Sequence, residues 1–330
     1  MNKLDSILVV ANRNNTDRPL LAKAVLIARS SLRAKIHLFY CDSELAYSLR
    51  HSYDTSAVEK AWLESLSERL DYLETLRGWA SAPDVDISVD AACDSPLYEG
   101  VVRKIRELRP DLVMKSASGA HPLRRLTLGD NDWQLMRACP ATFMLVRGRE
   151  WRVPPRFAAF VDVSDQETPR LAEEIIHTSE YFNLGCGGEL DVVYTERGGA
   201  GAARVERAEE LRRLAREYRI GAEYVHVLEG DPDVTLPEFA TRQCYDALVL
   251  GALTHRNGIA ALVGTLTGKL VDSIDSDFIL VKGATPDQEI PKAASLTAVN
   301  MATRWMPLQR DGHHVGSEER VAQNEEVSRP

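Results

Sequence analysis

An apolar strand-like run recurs 150 positions after its first appearance, and the elements that follow it recur in the same order. Ile7-Leu8-Val9-Val10-Ala11-Asn12 is an unbroken apolar run ending on a polar residue, and Phe157-Ala158-Ala159-Phe160-Val161-Asp162 repeats it. Such runs fit strands buried on both faces of a parallel sheet. A polar loop, a proline and a helical stripe come next in each copy. They read Pro19-Leu20-Leu21-Ala22 with Val25-Leu26, and Pro169-Arg170-Leu171-Ala172 with Ile175-Ile176, again 150 apart. Proline suits the first helical turn, where its missing N–H is not needed.

Later elements repeat as well. Asp111-Leu112-Val113-Met114 answers Asp246-Ala247-Leu248-Val249-Leu250, and Ala141 to Gly148 answers Asp277 to Gly283. Aligning Lys115 with Gly251 gives an offset of 136 and makes the second copy 14 residues shorter. The difference falls where copy one has a long helix near 52–82, with Trp62, Leu63, Leu66, Leu70 and Leu73 at helical spacing. Copy two has only a shorter helix there, Ala202–Tyr218.

Each copy therefore reads β-α-β-α-β-α-β-α-β. Strands are expected near 6–12, 35–41, 86–92, 111–116 and 141–147, then near 157–163, 189–195, 222–228, 246–252 and 277–282. Alternating strands and helices predict two tandem doubly wound domains of the flavodoxin or Rossmann kind. Each would be a five-stranded parallel sheet with right-handed crossovers and helices on both faces. The boundaries expected are 1–150 and 151–285, joined by Gly148–Arg156 with its Pro154-Pro155, and a polar, flexible tail over 286–330. Ligands of such sheets bind beyond the carboxyl ends of the strands, where the strand order reverses.

Composition narrows the function classes. The 330 residues carry a net charge of −9, with 44% hydrophobic and 27% charged side chains. An acidic chain without a Lys/Arg cluster argues against a nucleic-acid or anionic-membrane surface. No run approaches the roughly 18–20 apolar residues of a membrane span. The opening MNKLDSILVV is too short in its apolar run for a secretory signal, so a cytoplasmic location is expected. Five scattered cysteines without a C-x-x-C pair, and eight histidines without H-x3-H or HExxH spacing, argue against disulfides and zinc.

One loop has the make-up of an anion site. After the fourth strand of copy two, Leu250-Gly251 leads through Thr254, His255, Arg256 and Gly258 to Gly264-Thr265-Leu266-Thr267, which opens a helix. Glycine admits close approach of backbone to phosphate, and a helix N-terminus offers unpaired N–H groups and a positive dipole end. Turn glycines with an ordinary helix cap are the bland alternative. Gly264 to Leu270 lacks a residue between its glycines for a Walker A loop, and Gly198-Gly199-Ala200-Gly201 lacks the last glycine of a dinucleotide fingerprint.

On these residues the two copies resemble the universal stress protein domain, and their tandem arrangement resembles the E-type, two-domain members. The family pattern has a strand ending Val-Asp-x-Ser and a fourth strand leading into G-x2-G-x9-G-[ST], which binds ATP. Here stand Val161-Asp162-Val163-Ser164, Gly251, and Gly264-Thr265 at the family spacing. The resemblance implies ATP, with Mg, held at Val161 and Asp162 on the adenine side. Leu250, Gly251, Gly264, Thr265, Leu266 and Thr267 would surround ribose and phosphates. Thr254 stands where the family has its second glycine. Copy one departs further, with Asn12 for the Asp, Lys115 for the first Gly, and Leu128-Gly129-Asp130 in the Gly-Ser region. An acidic Asp130 at a helix start would repel phosphate. Asn131 to Pro140 nevertheless resembles the first domain of E-type members, and the likeness spans roughly 1–283.

Other residues are weighed against simpler roles. Asp132 and Trp133 read as a helix cap with a packing ring, Lys115 as the partner of Asp130, and Arg204–Arg219 as a charged helix face. Cys139 before Pro140 lacks an identifiable cationic neighbour to activate it. Glu229-Gly230-Asp231-Pro232 is a candidate wall of the nucleotide loop. No nucleophile–base pair or carboxylate pair reads as catalytic, so at most slow hydrolysis is expected. Two functions remain: a cytoplasmic stress-response regulator binding a nucleotide in copy two, or a scaffold or carrier holding another small molecule or a protein above the sheet. Family members pair through their last strands, which makes a homodimer an expectation by analogy.

Overall fold

The computed structural model describes residues 4–31, 34–50, 55–117, 128–163, 169–196, 202–252 and 265–282. The first half runs β1 (Ser6–Ala11), α1 (Asp17–Ser30), β2 (Lys35–Cys41), α2 (Ser43–Arg50), α3 (Thr55–Ala80), β3 (Ile87–Ala92), α4 (Leu97–Leu108), β4 (Leu112–Ser116), α5 (Asp130–Ala138) and β5 (Thr142–Val146). The second runs β6 (Arg156–Phe160), α6 (Pro169–Cys186), β7 (Glu189–Glu196), α7 (Ala202–Glu217), β8 (Val225–Glu229), α8 (Pro232–Gln243), β9 (Ala247–Ala252), α9 (Thr265–Ser273) and β10 (Asp277–Lys282). Two differences from the sequence reading are local. The long helix of the first half is preceded by a short separate one, α2. Strand β8 begins three residues later than expected, because Ala222–Tyr224 winds into a 3-10 turn in which Tyr224 N–H donates to Gly221 O.

The strands form one ten-stranded sheet in the order β3-β2-β1-β4-β5-β10-β9-β6-β7-β8. Within each half all pairings are parallel, as the alternation of strands and helices predicts. The two five-stranded sheets join through an antiparallel seam, Phe278 against Leu145, Ile279 against Met144 and Leu280 against Phe143. Ile279 and Met144 are counterparts in the repeat, so the seam lies on a local two-fold axis through that pair. The predicted domains are thus two halves of a continuous sheet, a pseudo-dimer within one chain.

Each face of the sheet carries a core that spans both halves. Ile7, Val9, Leu112, Met144, Phe157, Val249 and Ile279 bury against α1, α3 and α6 on one face. Leu8, Val113, Phe143, Leu145, Leu248, Phe278 and Leu280 bury against α4, α5, α8 and α9 on the other. The six seam side chains are wholly buried, and each contributes about 1.5–3 kcal/mol of apolar transfer free energy. A charged residue at the axis, Met144→Asp, would sit unpaired in that layer.

Polar anchors hold the strand starts. Asp111 Oδ2 accepts from the Asp5 and Ser6 amides at 2.8 and 2.9 Å, and Asp246 accepts from the Arg156 amide at 2.9 Å. These aspartates are repeat counterparts doing the same work. The second half adds a buried cluster in which the Tyr245 hydroxyl donates to Asp191 Oδ2 at 2.6 Å, beside Arg156 at 3.3 Å. Burial and the Asp191 carboxylate raise the Tyr245 pKa above its ordinary value. Tyr245→Phe is expected to cost about 1–2 kcal/mol in a denaturant titration, because Asp191 loses a short hydrogen bond in a dry site.

Candidate functional site

In each half the first strand lies between the second and the fourth, so strand order reverses there and a crevice opens beyond the carboxyl ends. Those ends carry Asn12 and Ser116 in the first half, and Val161-Asp162 and Gly251-Ala252 in the second.

Register decides which residues correspond. Ile7 pairs with Leu112 and Phe157 with Ala247, while Leu112 pairs with Thr142 and Ala247 with Asp277. The first strands are 150 residues apart and the fourth and fifth strands 135. The helices before the fifth strands, Asp130–Ala138 and Thr265–Ser273, share the 135 offset. This corrects the 136 offset taken from Lys115: the second half is shorter by 15 residues, Gly251 corresponds to Ser116, and Lys115 corresponds to Leu250. The α1–α6 alignment shifts too. Leu20, Leu21, Ala24, Ile27 and Ala28 bury as Leu171, Ala172, Ile175, Thr178 and Ser179 do, an offset of 151.

In the first half the crevice is filled by the chain's own side chains. Asn12 Nδ2 donates to Ser116 Oγ at 2.8 Å and lies 3.2 Å from Ser116 O. Thr16 Oγ1 lies 2.7 Å from the same Ser116 hydroxyl and 2.5 Å from Asn14 Oδ1. The turn between is held by buried Asp17, whose carboxylate accepts from the Asn12 amide at 3.0 Å, the Arg13 amide at 2.7 Å and the Tyr72 hydroxyl at 2.7 Å. Arg13 adopts a left-handed backbone, φ 58°, which this carboxylate stabilises.

Behind the crevice Lys115 Nζ meets Asp132 Oδ1 at 2.7 Å, both side chains at most 1% exposed. The expected lysine–aspartate pair exists, but with Asp132 and not Asp130. Asp132, the third residue of α5, is buried against the sheet, whereas Asp130 begins the helix and is exposed. The cap reading of Asp132 is replaced accordingly. Trp133 does pack: its ring lies beside Gly268 of the other half.

The second half has different chemistry at the same positions. Asp162 is exposed at the end of β6, next to Val161, whose amide donates to Val193 O at 3.0 Å. Leu250 is buried in the core, where its counterpart is the ion-paired Lys115. Gly251 sits under α6: a Cβ there would lie 2.7 Å from Leu171 Cδ2 and 3.1 Å from Ile175 Cδ1. This glycine is required by helix–sheet contact, a role that spacing could not separate from phosphate approach.

Helix α9 begins at Thr265, as the sequence predicts, with Leu266 and Thr267 in its first turn. Strand pairing of Phe160 with Leu250 brings Val161-Asp162 beside Leu250-Gly251. Thr254, His255, Arg256, Gly258 and Gly264 lie outside the described residues. Lys269 Nζ reaches Asp233 Oδ2 at 2.5 Å and ties α9 to α8. The candidate wall has local duties: Asp231 caps α8 by accepting from the Asp233 amide at 3.1 Å, and Gly230, at φ 127°, makes the turn.

No group of three or more metal-binding side chains exists among the described residues, and no described helix is long and apolar enough to cross a membrane. Burial pushes the Cys139 thiol up to about 11, and Cys41, Cys93 and Cys186 to about 12. None of these four is a ready nucleophile at neutral pH. The residues missed by sequence reading are Thr16, Asp17 and Ser116. Only the correct register, with Ser116 opposite Gly251, would have exposed the last.

Two parallel α/β halves, each with its crevice at the first and fourth strands, define a tandem doubly wound protein with one filled and one distinct switch point. Residues 3–147, the first half, match the family model described as the universal stress protein family, and curated relatives named universal stress protein E align with 86% of the chain. It is 24% identical over 310 residues to the universal stress protein E homolog of Haemophilus influenzae, covering 86% of this chain and 99% of the relative. It is 22% identical over 307 residues to universal stress protein E of Escherichia coli K12, with 86% and 94% covered. Among solved structures, a putative universal stress protein from Pseudomonas aeruginosa UCBPP-PA14 superposes with a TM-score of 0.66 at 23% identity, covering 85% of this chain and 94% of that one. One from Archaeoglobus fulgidus gives 0.66 at 12%, covering 84% and 98%. These likenesses establish the fold.

Proposed function

We propose that this protein is a cytoplasmic stress-response regulator that binds a nucleotide, ATP with Mg, in its second half, while the first half serves as a structural partner. One observation carries this reading. At matching register positions the first half fills its switch point with Asn12, Ser116 and Thr16 above the Lys115–Asp132 pair, where the sequence of the second half has Asp162, Gly251, Leu250 and, as the counterpart of Asp132, Thr267. Two side chains that occupy the crevice in one half are thus an exposed carboxylate and a hydrogen atom in the other. Helix α9, opening at Thr265, supports the reading because a helix N-terminus favours phosphate.

Asp162 would hold the base and the first turn of α9 the phosphates, with Thr254 and Gly264 on the loop between. No side-chain pair at the described strand ends supplies a nucleophile and a base, so binding and not turnover is the activity to measure. The scaffold reading fits the first half, whose hydrogen bonds leave its crevice satisfied from within.

Calorimetry of the purified chain with ATP and Mg tests the proposal. Saturation at one site is expected, with melting protected by about 2.7 kcal/mol at a ligand concentration a hundred times Kd. No heat and no protection at millimolar ATP would remove the nucleotide reading.

A further inference from the structure

The local two-fold axis at the seam makes the two halves present nearly the same surface to each other, yet one buried contact breaks the symmetry. Lys23 of α1 reaches across to Asp277, the first residue of β10, at 2.5 Å, with the side chains 6% and 1% exposed. The Trp151 indole donates to the same Asp277 oxygen at 2.7 Å, and the Arg147 amide donates to the other oxygen at 2.8 Å. The contacts around it do obey the symmetry. Arg147 donates to Val271 O at the end of α9, and Lys282 donates to Met136 O in α5 at 2.5 Å. Arg147 and Lys282 are counterparts, as are Val271 and Met136.

The counterpart of Asp277 is Thr142, the first residue of β5, and the counterpart of Lys23 is Glu174, from the matching burial of α1 and α6. Two copies of the first half, paired through the same seam, would set Lys23 against Thr142. That leaves an ammonium buried without an anion, which costs several kcal/mol. Two copies of the second half would set Glu174 against Asp277, a like-charge contact at a dry edge. Only unlike halves give lysine against aspartate.

We propose that Lys23 and Asp277 act as a pairing code, so that the β5 or β10 edge of either half accepts an unlike half and rejects the like half of a second copy. The seam is thereby closed within one chain. Lys23, Thr142, Glu174 and Asp277 determine the partner, and the apolar seam residues supply the adhesion.

Exchanging two of these residues tests the code without changing composition or net charge. The double variant Thr142→Asp with Asp277→Thr gives the first half a lysine and an aspartate that complement those of a second copy. Light scattering after size exclusion is expected to show a mass twice that of one chain for this variant and the mass of one chain for the native protein. The companion Thr142→Lys, which sets lysine against Glu174 in the native pairing, should remain monomeric and melt no lower than native. An exchange variant that stays a folded monomer with native melting would overturn the proposal. Should that variant fail to fold, the reversed pair Lys23→Asp with Asp277→Lys is compared with each single change. Recovery of melting and of the monomer in the double reversal is expected, and absence of recovery would equally overturn the code.

Discussion

Replacing Lys115 with alanine is expected to lower stability by about 3–5 kcal/mol, because Asp132 then loses its cation while wholly buried beneath the first-half crevice. For a chain of this size that corresponds to a melting temperature lower by roughly 10 °C. The mechanism is desolvation: a carboxylate taken out of water must be compensated locally, and Lys115 Nζ at 2.7 Å supplies the charge. Replacing both partners with apolar residues of similar volume, Lys115→Met with Asp132→Leu, should restore most of the loss. A loss below about 1 kcal/mol for Lys115→Ala would mean that water reaches the pair, as at an exposed ion pair. Nucleotide binding by the second half should survive both variants, since neither residue lies there.

Gly251→Leu is the change with the largest effect on the proposed site. A Cβ at this position already meets Leu171 and Ile175 of α6, and a full side chain forces the helix away from the sheet. Overpacking of this kind costs about 1–3 kcal/mol. The helix that moves follows the loop after β6, where Asp162 stands, so nucleotide retention should fall to background in equilibrium dialysis. Gly251→Ala should show a smaller loss of both, because the opposing atoms are the ends of side chains. Unaltered nucleotide binding in Gly251→Leu would detach the site from the β6–β9 crevice.

The two-fold repeat was legible because strands buried on both faces leave continuous apolar runs, and Ile7–Ala11 and Phe157–Val161 are such runs. Register within the repeat was not. A lysine in a buried strand looks like a strand end, so Lys115 drew the alignment onto Gly251; its compensating anion, Asp132, lies 17 residues away in a helix. The prolines misled in a similar way. Pro19 is the third residue of α1, and Pro169 is the first of α6, so aligning them conceals an extra residue in the second loop. The antiparallel seam leaves no local signature, because Thr142–Val146 and Asp277–Lys282 read the same whether they meet each other, solvent or another chain. The pairing of last strands that resemblance suggested between chains is used inside this one. Of the expected site, the strand ends and the start of α9 were legible, since they depend on local pattern, and the filling of the first crevice was not, since it depends on Ser116 and Thr16 meeting across 100 residues.

The seam also sets a timetable for synthesis. Strand β5 leaves the ribosome about 130 residues before β10, an interval of roughly 7–26 s at ordinary elongation rates. Throughout that time the first half is complete except along the outer edge of one strand, Thr-Phe-Met-Leu-Val, which pairs with β4 on one side while the backbone groups facing away from β4 have no neighbour. A nascent chain in this condition invites strand addition from any other polypeptide nearby, so slowing translation between the halves should raise the yield of insoluble product.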